Sequence, residues 1–212
     1  MSRDEAIEAY ILQHMDEESG YLKALYRQTH VKLINPRMTS GHLQGRLLKM
    51  LVQMVRPHRI LEIGTFAGYS ALCMAEGLEE GAMLHTYEID DELEDFTRSW
   101  IEGSPHGHKV CFHIGNALNE VPLLGETFDL VFMDGDKRQY MAYYEMVMQH
   151  TSPNAIILAD NTLWDGHVIE KAYLCDRQTA AINEFNAFVA ADQRVEKFIL
   201  PLRDGLTMIR KK

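Results

Sequence analysis

Acidic and amide side chains follow two apolar runs of the sequence, at the points where each run ends. Asp134 comes directly after the run 128–133, and Asp160 and Asn161 follow the run 155–159. The carboxyl ends of parallel strands meet at one edge of a sheet, so these side chains are expected to lie close together. Their oxygens, with no sulfur or imidazole among them, are the ligands that Mg²⁺, Ca²⁺ and Mn²⁺ prefer. The sequence therefore predicts a divalent-cation site with open positions for a chelating substrate.

A lysine, Lys137, lies three residues after Asp134 in the stretch DGDK. A turn there would bring its amine back towards the predicted cation. A neighbouring cation disfavours the charged form of an amine, so Lys137 is a candidate general base for a bound hydroxyl. A solvated or salt-bridged lysine is the simpler alternative.

Two glycines four residues apart, Gly64 and Gly68, separate an apolar run that contains Glu62 from a segment of helical character. This order predicts a buried strand, a glycine turn against which a ligand can lie, and a helix. The dinucleotide fingerprint has a glycine where this chain has Phe66, which argues against a pyrophosphate and a nicotinamide oxidoreductase. Glu62 favours a cationic ligand, such as a sulfonium or an amine. An ordinary turn with a solvated acid is the alternative.

A further acid, Glu88, ends the next predicted strand about 24 residues after Gly64. In nucleotide-binding α/β units an acid at this distance accepts hydrogen bonds from ribose hydroxyls. The pattern predicts a ribose-containing ligand without a pyrophosphate, unless Glu88 simply faces water.

Two other chemistries receive little support. His106, His108, Cys111 and His113 resemble a zinc cluster, but the last two alternate along a predicted strand and no second ligand pair follows. The stretch GYSA at 68–71 lacks the second glycine of a nucleophile elbow, which disfavours a serine hydrolase.

Alternating strand and helix patterns must position these residues. Helical spacing predicts helices over 4–18, 20–28, 39–55, 90–102, 117–124, 140–150 and 179–191, and strands follow the glycine turn at 82–88, 109–114, 128–133 and 155–159. An antiparallel pair, 195–200 and 206–210, closes the chain across the turn Asp204-Gly205. The result is an α/β fold, a doubly wound and mostly parallel sheet. Before the third helix, residues 38–41 combine N-cap residue types, and a simple helix cap is the favoured interpretation.

Composition sets the outer limits. The 212 residues are 46% hydrophobic and 25% charged, as in one globular domain in which a helical extension, 1–56, packs on a core, 57–212. The net charge of −10 disfavours a broad nucleic-acid surface. No apolar run is long enough for a membrane span, and the acidic start does not resemble a signal peptide. Cys73, Cys111 and Cys175 are few and widely spaced, as in a protein with reduced thiols. We expect a cytoplasmic protein.

Four segments together carry a family resemblance: LEIGTFAGYS at 61–70, FDLVFMDGDK at 128–137, ADNTLW at 159–164 and LPLRDGL at 200–206. They resemble the cation-dependent O-methyltransferases, the group of catechol and caffeoyl-coenzyme A O-methyltransferases and their bacterial relatives. The resemblance covers about residue 38 to the C-terminus. It implies a seven-stranded sheet with an antiparallel C-terminal strand, S-adenosylmethionine (SAM) as methyl donor, a divalent cation and a homodimer.

The resemblance also assigns roles to residues. It implies that the cofactor is bound by Met38, Ser40, Glu62, Gly64 and Ser70 at its methionine part, by Glu88 at its ribose and by Ala117 at its adenine, with Asp134 beside it. It implies that Asp134, Asp160 and Asn161 hold the cation, that Lys137 is the base and that Trp164 lines the acceptor pocket.

Two positions depart from the family pattern, Asn116 where Asp is frequent and Gly135 where Ala is frequent, and neither removes a cation ligand. The segment 165–177, where these enzymes select their acceptors, has no pattern that indicates one substrate. A small vicinal diol such as a catechol is the first prediction. Methylation of a hydroxylated uridine in tRNA is an alternative, which a basic patch of Arg27, Lys32, Arg37 and Arg46 would favour. A non-catalytic SAM-binding module is the alternative from another class.

Overall fold

The computed structural model of the chain describes residues 3–173 and 175–212, with side chains described from residue 6 onward. Seven strands form one sheet in the order β3-β2-β1-β4-β5-β7-β6. The strands are β1 (Arg59–Ile63), β2 (Met83–Glu88), β3 (Val110–Ile114), β4 (Phe128–Met133), β5 (Thr151–Asp160), β6 (Val195–Leu200) and β7 (Leu206–Lys211). The first five run parallel, whereas β7 is antiparallel to both of its neighbours. The predicted doubly wound sheet with an antiparallel C-terminal strand is confirmed.

Helices cover both faces of the sheet. They are α1 (Arg3–Gln13), α2 (Gly20–Lys32), α3 (Gly41–Val55), α4 (Tyr69–Gly77), α5 (Glu94–Glu102), α6 (Ala117–Leu124), α7 (Tyr140–His150) and α8 (Arg177–Ala191). Side chains alternate along β1, so Ile60 packs with Val52 of α3 and Met74 of α4. Leu61 belongs to the core on the other face, with Phe185 of α8. The period of two along each strand is what directs apolar side chains to both layers.

Several helix starts and ends differ from the predicted ones, including those of α3, which starts at Gly41, and α8, which starts at Arg177. Helix α1 ends at Gln13 and not at 18, because Ser19 begins a new helix by accepting a hydrogen bond from the Leu22 amide at 3.3 Å. Asp90 caps a short 3-10 turn, so α5 starts at Glu94. Helix α2 continues to Lys32, four residues further than predicted.

The segment before α3 and the strand β5 also differ from expectation. Ser40 does not cap α3, because its own backbone is helical and its side chain makes no capping hydrogen bond. Strand β5 begins at Thr151, whereas Pro153 and Asn154 had the composition of a turn. The register shift opposite Phe128 accommodates these residues within the pairing of β4 and β5.

The order of the strands reverses between β1 and β4. From β1 the chain moves outward to β2 and β3, then returns to β4 on the other side of β1. Ligands of open α/β sheets bind beyond the carboxyl ends of the strands at such a switch point. A cleft of about 1180 Å³ opens there, between the strand ends and the segment that precedes α3.

Candidate active site

The cleft collects most of the residues singled out from the sequence. Its lining includes Met38, Gly64, Glu88, Ala117, Asp134, Lys137, Asp160, Asn161 and Trp164. The other three, Ser40, Glu62 and Ser70, are buried and lie outside its lining. Residues that are up to 126 positions apart in the sequence therefore share one cavity, as the strand-end positions predict.

The glycine turn after β1 brings three strand ends together. Gly64 has a φ of +99°, and a Cβ at this position would collide with the carbonyl of Asp134 at the end of β4. Its amide and that of Thr65 donate to the Tyr87 carbonyl of β2 at 2.9 and 3.2 Å. Only glycine fits this backbone conformation and this approach, so the turn fixes the distance between the two sides of the cleft.

Glu88 is held at the end of β2 by backbone amides. Its Oε2 accepts from the Phe66 amide at 2.7 Å, and its Oε1 accepts from those of Ile89 and Asp90 at 2.9 and 3.0 Å. A carboxylate has about four acceptor positions, so one remains free on Oε2. The arrangement fixes an acceptor towards the cleft that suits a ribose hydroxyl.

Glu62 lies fully buried behind the glycine turn. Its two oxygens accept from the Ser70 hydroxyl and the Thr86 hydroxyl, each at 2.5 Å. Burial raises the pKa of Glu62 to about 8, against the two hydroxyl hydrogen bonds that lower it. The carboxyl is therefore mainly protonated at neutral pH in the absence of a ligand, and a cation bound nearby would favour its ionised form.

Asp134 and Asp160 form an acid pair on the other side of the cleft. Burial and then the charge of Asp134 raise the pKa of Asp160 to about 6. The Asp160 carboxylate accepts from its neighbour's amide, at Asn161, at 2.9 Å and from Gln44 Nε2 at 2.6 Å. A cation bound beside Asp160 would favour its ionised form, so the pair fits the predicted cation site.

The ligand set for that cation is limited to oxygen. Among the described residues, no group of three or more His, Cys, Asp or Glu side chains is placed to hold a metal. Asn161 lines the cleft with Asp134 and Asp160, so its amide oxygen remains the predicted third protein ligand. Two carboxylates and an amide suit a hard divalent cation that keeps open positions.

The side chain of Lys137 folds back to contact Asp134, as the spacing predicts. Its Nζ lies 2.7 Å from Asp134 Oδ1 and 2.7 Å from the Tyr140 hydroxyl, and its side chain is largely buried. The Tyr140 hydroxyl in turn lies 3.0 Å from the Met133 carbonyl and 2.9 Å from that of Asp160. Lys137 is thus ion-paired with Asp134 at the wall of the cleft, which is the simpler of the two expectations, and its role as a base stays a prediction.

Three residues of the site were missed from the sequence: Gln44, Tyr140 and Arg203. Tyr140 follows Lys137 by three residues, a helical spacing that could have revealed it. Gln44 and Asp160 are 116 residues apart, and no local pattern links them. Arg203 contacts the carbonyl of Ser40, 163 residues away, so only the folded chain reveals it.

Strained backbone is concentrated around the cleft. Of the eight non-glycine residues with positive φ in the described part of the chain, five line it: Asn35, Phe66, Asn161, Trp164 and Arg203. Such conformations cost of order 1–3 kcal/mol each and cluster at functional sites. The distribution supports the cleft as the working site of the molecule.

A smaller cavity of about 340 Å³ adjoins the cleft and shares Trp164 with it. His167 and Tyr173 stack there with ring centroids 3.8 Å apart. Both belong to the segment 165–177 that is predicted to select the acceptor, of which residue 174 lies outside the described residues. The segment therefore supplies part of the wall beside Trp164.

The doubly wound sheet with a reversed seventh strand, the glycine turn and the acid at the end of β2 define the class of Rossmann-like methyltransferases. A sequence model of the family described as O-methyltransferase matches residues 12–212. The chain belongs to this family, and the predicted resemblance is confirmed.

Characterised relatives and solved structures agree. The chain is 32% identical to caffeoyl-CoA O-methyltransferase from Petroselinum crispum, over 82% of this chain and 77% of that protein. It is 34% identical to tricin synthase 1 from Oryza sativa, over 82% and 75%. The O-methyltransferase from Bacillus cereus in complex with SAH superposes with a TM-score of 0.90 at 29% identity, covering 98% and 97% of the chains. TomG from Streptomyces achromogenes, in complex with SAM, gives 0.90 at 26% identity and full coverage of both chains.

Within residues 3–173 and 175–212, no helix is both long and apolar enough to cross a membrane.

Proposed function

We propose that this O-methyltransferase transfers the methyl group of SAM to one hydroxyl of a small vicinal diol, such as a catechol, with the help of a divalent cation. The observation that carries the proposal is the convergence of Lys137, Asp134 and Asp160 in the cleft beside the glycine turn. A donor site and an acid pair with an adjacent amine in one cavity match the needs of methyl transfer to an oxygen. Positioning the two reactants there supplies much of the acceleration.

The cofactor half of the cleft is assigned to SAM. Glu88 would bind the ribose hydroxyls through its free acceptor position, Ala117 would lie beside the adenine, and Gly64 and Met38 would line the methionine part. Ser40, Glu62 and Ser70 would act from behind this wall. The bound ligands of the Bacillus cereus and Streptomyces achromogenes structures support this choice of cofactor.

The other half of the cleft is assigned to the cation and the acceptor. Asp134, Asp160 and Asn161 would hold Mg²⁺, Mn²⁺ or Ca²⁺, which when bound supplies Lewis-acid chemistry that lowers the pKa of an acceptor hydroxyl. Lys137 Nζ takes the hydroxyl proton, while Trp164 and the segment 165–177 orient the acceptor ring. The acceptor oxygen then attacks the methyl group of SAM in line with the leaving sulfur.

The tRNA alternative has weaker support. Arg46 of the expected basic patch donates to the carbonyls of Asp16 and Glu17, and so is engaged within the protein. Arg37 does line the cleft. The net charge of −10 opposes a long phosphate-tracking surface. RNA is therefore included among the acceptors in the transfer assay. The same assay tests the non-catalytic SAM-binding module, which would transfer no methyl group.

The proposal includes a cytoplasmic homodimer, as the family resemblance implies. Exposed apolar side chains on α1, on α2 and just after α2 support an association, with Tyr10, Val31 and Ile34 at 62%, 70% and 83% exposure. Light scattering of the purified protein measures the mass in solution, and a monomer at micromolar concentration would contradict the homodimer.

The test is methyl transfer from labelled SAM to a panel of catechols and monophenols and to RNA from cells that lack the protein. We expect label on catechols with Mg²⁺, none on monophenols, and loss of transfer in excess chelator. Lys137→Met, which removes the base, is expected to lower turnover by about 10²- to 10⁴-fold while SAM still binds. Full transfer in chelator would exclude the cation, and label on RNA alone would replace the diol with the tRNA acceptor.

A further inference from the structure

Arg203 occupies a backbone position that suits glycine. It lies between β6 and β7 with a φ of +49°, in the left-handed region that L side chains rarely adopt. The arginine side chain is held in this conformation at a cost that glycine would not have. The contacts of the guanidinium should therefore explain why an arginine occupies this position.

The guanidinium of Arg203 reaches across to the segment before α3. Its Nη1 donates to the carbonyl of Ser40, lies 3.3 Å from that of Thr39, and donates to Gln44 Oε1 at 2.9 Å. The turn between β6 and β7 is thereby joined to the N-terminal part of the chain at the edge of the cleft. All three acceptors are buried or nearly so, where such charge-assisted hydrogen bonds are strong.

Gln44 continues this connection to the acid pair. Its side chain is 2% exposed, and its Nε2 donates to Asp160 Oδ2 at 2.6 Å. A guanidinium can only donate and an ionised carboxylate can only accept, so the charges on either side determine which end of the amide faces which partner. Arg203 thus orients the side-chain amide of Gln44 so that the NH2 group, and not the carbonyl oxygen, faces Asp160.

We propose that Arg203 and Gln44 are positioning residues for the cation, a relay that holds Asp160 ready to bind it. The inference rests on the cation site of the proposed function. Gln44 Nε2 donates to Asp160 Oδ2, and the backbone amide of Asn161 donates to Oδ1. Each oxygen of Asp160 therefore keeps one acceptor position for a ligand. Partners behind a ligand of this kind typically account for 10- to 100-fold in metal affinity.

The first test measures Mn²⁺ binding by calorimetry, with the metal alone and without SAM or acceptor. Arg203→Gly removes the guanidinium and its buried hydrogen bonds, and the relief of the backbone offsets only part of that loss, so we expect a lower melting temperature. Measured at a temperature where the variant is folded, its Mn²⁺ affinity should be lower by about tenfold or more. The matched control is Arg56→Gly. Arg56 also has a positive φ, of +53°, but its ion pair with Glu79 is largely exposed. Its replacement leaves Mn²⁺ affinity unchanged.

The second test asks whether the two residues act as one path. Gln44→Met keeps the volume of the side chain and removes both hydrogen bonds, and we expect a similar loss of Mn²⁺ affinity. The double variant with Arg203→Gly should bind Mn²⁺ no more weakly than Gln44→Met alone, because Arg203 acts through Gln44. Additive losses would show two independent effects and overturn the relay, as would Arg203→Gly that binds Mn²⁺ like the wild type.

Asp160→Ala, titrated in parallel, separates the relay from the proposed function. If the wild type does not bind Mn²⁺, or if Asp160→Ala binds it equally well, the cation site itself is wrong and the relay fails with it. If Asp160→Ala loses binding while Arg203→Gly does not, the cation site stands and only the relay is wrong.

Discussion

The two halves of the cleft hold their acids in different ways. In the cofactor half, at the ends of β1 and β2, Glu62 and Glu88 bond to partners no more than 24 residues away. In the acceptor half, at the ends of β4 and β5, Asp160 depends on Gln44, which lies 116 residues away. The acids of the cofactor half are thus held within a single strand-helix-strand unit, whereas Asp160 is held by a distant part of the chain.

This difference predicts that each half can be damaged without the other. The acids of the cofactor half are supported by their own turn, so a change in the acceptor half should leave cofactor binding in place. Cofactor binding and methyl transfer are therefore the two readouts that separate the halves.

The largest effect is expected from Asp160→Ala. It removes one of the two carboxylates of the acid pair, and we expect methyl transfer to fall by at least about 10³-fold, the equivalent of several kcal/mol of transition-state stabilisation. SAM affinity, measured by calorimetry, should stay within about threefold of the wild type, since none of the contacts of Glu88 is touched.

Asp91→Ala is the control for Asp160→Ala. Asp91 lies in an exposed turn outside the cleft lining. Its removal should change neither readout. If Asp160→Ala lost SAM binding as well as turnover, the two halves would not be independent.

The same contrast explains what the sequence could reveal. The glycine turn, Glu62 and Glu88 were recognisable because the spacing within one unit encodes their positions directly. Asp134, Asp160 and Lys137 were recognisable because strand ends share an edge. The support of Asp160 was not, because Gln44 and Arg203 meet it only after α3 and the turn between β6 and β7 have packed on the sheet.

Helix and strand ends show a similar limit. The apolar run of β4 was predicted to the residue, since a strand buried on both faces leaves a continuous signal. The start of β5 was not, because Pro153 indicates a turn unless the register shift with β4 is known. Ser40 had the composition of a cap, yet its carbonyl serves Arg203 instead.

An intermediate effect is expected in the cofactor half from Glu88→Gln. Glutamine has the same shape, but its NH2 group would replace one of the two oxygens that now accept from the backbone amides of Phe66, Ile89 and Asp90. Two donors would then face each other, so at least one buried hydrogen bond is lost. The variant also loses the charged acceptor that would bind the ribose hydroxyls. A hydrogen bond to a charged group contributes about 1.5–3 kcal/mol, so SAM affinity should fall roughly tenfold to a hundredfold. Turnover at saturating SAM should change only a few-fold.

The kinetic split between the two variants is the decisive measurement. Glu88→Gln is expected to raise the KM for SAM, and Asp160→Ala is expected to lower kcat. A Glu88→Gln variant with wild-type KM and reduced kcat would place Glu88 in the chemistry of the acceptor half and remove the distinction.

The smallest loss of stability or activity is expected from Glu62→Gln, which tests the buried acid of the cofactor half. Glu62 has a pKa of about 8, so at pH 7 it is mainly neutral and an uncharged residue of the same shape replaces it closely. The hydroxyl of Ser70 or of Thr86, whichever faces the new NH2 group, can rotate to accept from it. We expect Glu62→Gln to be at least as stable as the wild type at pH 7 without ligand, because only the wild type must take up a proton there on folding.

The pH dependence of Glu62→Gln shows the sign of the effect. Between about pH 4.5 and pH 8 the folded protein keeps a proton on Glu62 that the unfolded chain has lost, so this group makes wild-type stability fall as pH rises. The slope is at most about 1.4 kcal/mol per pH unit, and it ends near pH 8. Glutamine lacks this slope, whereas Asp160 is present in both proteins and cancels. Denaturant unfolding from pH 5 to 8 measures the stability of the wild type relative to that of Glu62→Gln, and this relative stability should fall as pH rises. A relative stability that stays constant from pH 5 to 8 would mean that Glu62 is ionised in the folded protein, and the two halves would then both contain buried charge.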